Sequence, residues 1–176
     1  DCMSFVLIGS MMYSGLMSMV SILGFVAHDT FALDTGVTGL LLGSMALSYS
    51  FGATVNSRIA GRWPMRRILR TTTTTALLGG LATLATAFAI VHGLLSGPPA
   101  IALLLAAAMC YGFSFGASNP VVMVMFLKPM AHMAGTASAV AATVQTLIGA
   151  MMVWLAGYLY DGTPAALGYI LTLVSF

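Results

Sequence analysis

Apolar residues run along this chain in long stretches, each close to the roughly 20 residues that a helix needs to cross a bilayer, and short polar breaks separate them. The pattern predicts helices over about residues 3–27, 37–55, 68–92, 100–126 and 134–160, and the start of another over about 165–176. The breaks carry turn chemistry: a polar stretch around Asp29 and Asp34, then "NSRIAGRWPMRR", "SGPP", the segment holding Lys128 and Pro129, and "DGTP". The expected fold class is an all-α polytopic membrane protein, a six-helix bundle with its last helix truncated. That last stretch, at about 1.5 Å per residue, reaches roughly 18 Å against a hydrocarbon core of about 30 Å, so the sequence is read as a piece of a larger chain.

Composition narrows the class. With 60% hydrophobic and 6% charged residues, the chain has too little polar material to cover a soluble globule. The few charges are sorted. Arg58, Arg62, Arg66, Arg67 and Arg70 share one break and Lys128 lies in another, whereas Asp29, Asp34 and Asp161 fall in the alternate breaks. The positive-inside rule then expects 58–70 and Lys128 to be cytoplasmic, with Arg58, Arg62, Arg66 and Arg67 forming a topology loop. An arginine cluster beside an apolar span is a topology determinant or a contact for anionic headgroups, so nucleic acid is not an expected partner.

Candidate chemistry is sparse. The chain has no Glu, and Asp1, Asp29, Asp34 and Asp161 all sit at predicted membrane boundaries, so no paired acid or activated nucleophile is available and no enzyme activity is expected. His28, His92 and His132 share no ligand spacing with one another or with Cys2 and Cys110, so no metal, cofactor or disulfide is expected. Cys110 reads as a small buried or interfacial residue.

Polar side chains at mid-depth are the better candidates, because burying them without a partner costs free energy. Gln145 stands near the middle of the fifth helix, and helical spacing puts Ser138, Ala142 and Gly149 on its face. In the first helix Ser10, Ser14, Ser18 and Ser21 form a polar stripe flanked by Tyr13 and Met17. In the fourth, Asn119 precedes Pro120, which removes a backbone donor and can kink the helix. The substrate-binding candidates are Gln145, Tyr13, Ser14, Met17 and Asn119. The serines have a competing role, bonding backbone carbonyls or joining helices. Thr71, Thr72, Thr73, Thr74 and Thr75 are expected to bond carbonyls of the preceding turn. Gly39 with Gly43 and Gly112 with Gly116 form GxxxG pairs suited to close helix approach. Fourteen methionines offer a soft apolar surface of the kind that accommodates varied ligands.

The segments "NSRIAGRWPMRRIL" and "AGTASAVAATVQ", with "SNPVVM" between them, resemble the major facilitator superfamily, in particular the C-terminal half of its bicyclomycin-resistance-like (Bcr/CflA) drug:proton antiporters. The resemblance implies one half of a twelve-helix fold in a bacterial inner membrane, partnered by an N-terminal six-helix half, with Arg58, Arg62, Arg66 and Arg67 in its cytoplasmic gating loop. It also implies export of a small amphipathic substrate by alternating access, with protons as the coupling ion. The sequence departs from the superfamily loop where Gly61 stands in place of an Asp and Pro64 in place of a glycine, so no Asp-based gating bridge carries over. A proton-coupling acid would have to lie outside this chain. The alternative is a non-transporting membrane scaffold that docks partner helices.

Overall fold

A computed structural model describes residues 2–29, 31 and 34–159; the expected helix over 165–176 lies outside these residues, as do Asp1 and Asp161. Five α-helices follow one another: α1 Cys2–Asp29, α2 Thr35–Ile59, α3 Met65–Val91, α4 Pro98–Leu127 and α5 Ala134–Leu159. Each begins where local chemistry allows it. Asp34 caps α2 by accepting from the Gly36 N–H at 3.3 Å. Pro64 precedes α3, and two prolines open α4 after Gly97, whose φ of 71° suits the glycine. Between α2 and α3 the chain reverses tightly, with the Ile59 carbonyl accepting from both Arg62 and Trp63 N–H groups and Gly61 at φ 90°.

The expected six-helix bundle, half of a twelve-helix fold, is not matched. Among the described residues, four helical stretches are long and apolar enough to cross a membrane: Val6–His28, Thr35–Ile59, Met65–Val91 and Pro98–Leu159. The fourth is continuous because Lys128–Met133 forms a 3₁₀ helix where a loop was expected, so helical backbone runs on from α4 into α5. Met130, with φ −112° and ψ 29°, is the point at which that backbone leaves helical geometry. α5 then returns along the bundle, as Gly9 of α1 lies against both Val122 of α4 and Gln145 of α5.

α4 is the hub, packing against α1, α2 and α3, while α5 packs chiefly on α1. Contacts set the directions. Gly9 and Tyr13 meet Gln145 and Gly149 in order, so α1 and α5 run parallel. Met45 meets Gly112 and Tyr49 meets Gly116, so α2 and α4 also run parallel. Gly79 packs on Ala107 and Tyr111 while Thr75 accepts from Ser114, so α3 is antiparallel to α4. The Arg58-to-Arg70 turn and the 3₁₀ helix therefore lie at the same end.

Of the two GxxxG pairs, only one is a seam within this chain. A Cβ on Gly116 would run into the Tyr49 carbonyl oxygen, and one on Gly52 into that of Phe113, so α2 and α4 meet backbone to backbone. Gly39 and Gly43 instead face open space. Polar groups finish the seams: Ser48 Oγ donates to the Met109 carbonyl at 2.6 Å, and the fully buried Tyr111 hydroxyl donates to the Met12 carbonyl at 3.2 Å. The threonine run behaves as expected, with all five hydroxyls donating to carbonyls three or four residues back. Cys110 is exposed, with its thiol 3.9 Å from the Thr75 carbonyl at the α3–α4 edge, and not buried.

Large apolar side chains project outward, including Leu40 (75% exposed), Leu47 (71%) and Trp154 (72%). On a soluble protein such a surface would aggregate; in a bilayer it meets acyl chains. The chain is a polytopic, all-α membrane protein.

Candidate functional site

A cavity of about 430 Å³ opens between α1, α2, α4 and α5. Helical repeat builds its walls one turn at a time: Tyr13 and Met17 from α1, Met45 and Tyr49 from α2, Phe115 and Asn119 from α4. Gln145 of α5 closes it, and Leu16, Val20, Leu42 and Ala46 complete an otherwise apolar lining. Such a mixture, mostly apolar with a few polar groups, is what small-molecule sites present.

The aromatic wall is continuous. Tyr49 stacks on Phe115 with ring centroids 5.7 Å apart and planes at 29°, and Tyr13 tilts onto the same ring at 6.2 Å and 52°. The Tyr13 ring has space because position 149 is glycine: a Cβ there would stand 3.1 Å from Tyr13 Cε1. Tyr13 and Met17 also line a neighbouring groove of about 390 Å³ that runs along α5 past Thr146 to Trp154, so they separate two spaces.

The Gln145 side chain is the chemically distinctive part. It is 8% exposed, and its amide finds no hydrogen-bond partner among the described residues. Gly9 lets α1 come close beside it, since a Cβ at Gly9 would be 3.1 Å from Gln145 Nε2 and 2.9 Å from Val122 Cγ1. The amide can offer two donors and a two-lone-pair oxygen, and its residue lines the cavity. Asn119, Tyr13 and Tyr49 line the same space, and their side chains likewise make no hydrogen bond among the described residues.

The structure brings Gln145, Tyr13, Met17 and Asn119 into one cavity, and leaves Ser14 out of it. Ser14 is fully buried with its hydroxyl donating to the Met11 carbonyl at 2.7 Å, and Ser10 bonds Val6 in the same way. Ser18 Oγ is buried with no partner among the described residues. The Gln145 face differs from the expected one: its buried companions on α5 are Ala137, Ala141 and Gly149, whereas Ala142 is exposed. α4 stays helical through Pro120 to Leu127. Tyr49, Phe115 and Met45 escaped sequence reasoning. They meet only because α2 lies parallel to α4, which no spacing within either helix reveals.

Arg58, Arg62, Arg66 and Arg67 are not part of this cavity's lining and lie around the α2–α3 turn. All are exposed, and the Arg67 guanidinium sits 4.8 Å above the Trp63 ring. Compared with protein families, curated proteins and solved structures, the chain matches none of them.

Proposed function

We propose that this chain is a membrane transport protein whose cavity takes up a small, amphipathic, aromatic molecule and passes it across the bilayer. The observation that carries this reading is the Gln145 side chain, which lines the cavity with no hydrogen-bond partner among the described residues. An amide open to a cavity of ligand size can donate to and accept from a molecule that enters it. The Tyr13, Tyr49 and Phe115 rings supply faces on which a flat ligand stacks. Tyr13 and Met17 are the wall between the cavity and the groove beside α5, so a ligand passing from one to the other requires these two side chains to move. The positive-inside rule supports the arginine end as the cytoplasmic one.

The test is uptake of ethidium, an aromatic cation, by liposomes that contain the purified chain and carry DNA in their lumen as a fluorescent reporter. Saturable flux, reduced about tenfold by Gln145→Leu at equal insertion, is expected from loss of one ligand hydrogen bond worth about 1 to 1.5 kcal/mol. Flux equal to that of protein-free liposomes, together with no saturable dye binding, would overturn the proposal in favour of a scaffold. Collapse of flux when a proton gradient is dissipated would assign protons as the coupling ion.

A further inference from the structure

The turn joining α2 to α3 concentrates positive charge in a way the cavity does not use. Arg58 lies in the last turn of α2, Arg62 in the connection, and Arg66, Arg67 and Arg70 in the first turns of α3. All five side chains are exposed, and none has an ion-pair partner among the described residues. Between Asp34 and Asp161 the sequence has no carboxylate at all, so α2, α3, α4 and α5 cannot neutralise this end from within. The 3₁₀ helix at the same end adds Lys128.

Position supplies the second constraint. The flanking spans end at Ile59 and begin at Met65, so the turn sits at the membrane surface. It is held in one shape by the paired bonds to the Ile59 carbonyl and by the bridge between Ala60 and Trp63. Trp63 (41% exposed) and Met65 (42%) present apolar surface beside the arginines, and Arg67 stacks over Trp63. An exposed tryptophan at a span boundary marks headgroup depth. Arg66 and Arg70 stand one helical turn apart, and guanidinium forks bind phosphate oxygens in pairs.

We propose that this turn is a binding site for an anionic phospholipid, with Arg62, Arg66 and Arg70 engaging the headgroup phosphate and Trp63 and Met65 bordering its acyl chains. The occupant is a lipid and not a free anion because apolar and cationic surfaces adjoin at bilayer depth. The site is independent of the cavity and of any transport reading.

The experiment is mass spectrometry of the intact chain in a neutral detergent, titrated with phosphatidylglycerol or phosphatidylcholine. Preferential retention of phosphatidylglycerol is expected, falling about fivefold for Arg62→Gln alone and on the order of a hundredfold when Arg66→Gln and Arg70→Gln are added. Arg62→Lys, which keeps the charge, should retain most of the preference. Equal retention of the two lipids, or an unchanged preference in Arg62→Gln, would overturn the proposal. Displacement of the lipid by millimolar inorganic phosphate would also overturn it, since the site would then read a free anion.

Discussion

Substituting Gly116 by Ala tests the packing on which the cavity depends. A Cβ built at Gly116 collides with the Tyr49 carbonyl oxygen and stands 2.9 Å from its carbonyl carbon and 3.1 Å from its Cα. Carbon atoms in good contact are about 3.5 to 4.0 Å apart, and backbone cannot rotate away as a side chain would, so α2 must retreat on the order of 1 Å. Overpacking of this kind costs about 1 to 3 kcal/mol, offset by about 0.5 to 1 kcal/mol from the better helix propensity of Ala. A net loss of about 1 to 2 kcal/mol is expected, read as unfolding in mixed micelles of rising SDS content and followed by helicity. Gly39→Ala is the control, because it gains the same propensity at a position where a Cβ meets nothing, and should leave stability unchanged or raise it. Gly52→Ala, which pushes against the Phe113 carbonyl from the other helix, should be less than additive with Gly116→Ala, since one retreat of α2 serves both. Indistinguishable unfolding of Gly116→Ala and Gly39→Ala would refute the close α2–α4 seam.

Gln145→Leu, predicted above to weaken ligand flux, should change the stability of the ligand-free chain by less than about 0.5 kcal/mol in the same SDS titration, because the amide it removes is open to the cavity and bonds no described residue. A larger loss of stability would mean that the amide has a partner. Ser18→Ala should be neutral or stabilising, as its buried hydroxyl has no partner, whereas Ser10→Ala should cost about 0.6 kcal/mol for its bond to Val6; parallel unfolding curves decide between equal and opposite effects. Gly149→Ala should tilt the Tyr13 ring by a few tenths of an ångström of pressure on Cε1, changing ethidium affinity several-fold with less than about 1 kcal/mol in stability, and unchanged affinity would remove Tyr13 from the site.

Much of the local structure was legible in the sequence. Helix starts coincide with Asp34, Pro64 and the Pro98–Pro99 pair, because capping and the fixed φ of proline act over a few residues and need no tertiary partner. Gln145 was legible as a candidate because it is the chain's only glutamine and stands in an apolar stretch. The serines misled. Ser10 and Ser14 have the spacing of a polar face, but a hydroxyl can satisfy itself on its own helix, and these do. The segment from Lys128 to Met133 also misled, since proline and charge suggested a loop where a 3₁₀ turn carries the helix onward.

By itself, then, the sequence determined that the chain is a membrane protein, where its long apolar stretches lie and which breaks carry positive charge. Each of these depends on local length, hydropathy and turn chemistry. Only the tertiary structure decided that α4 is the hub, that Gly116 and Gly52 form a seam while Gly39 and Gly43 do not, and that Tyr49 and Phe115 face Gln145 across a cavity. The reason is that lipid is as apolar as a protein interior, so hydrophobic periodicity does not separate inward faces from outward ones. Helices in a bilayer choose their neighbours by shape, close backbone approach and a few polar contacts, which appear only when the helices are brought together.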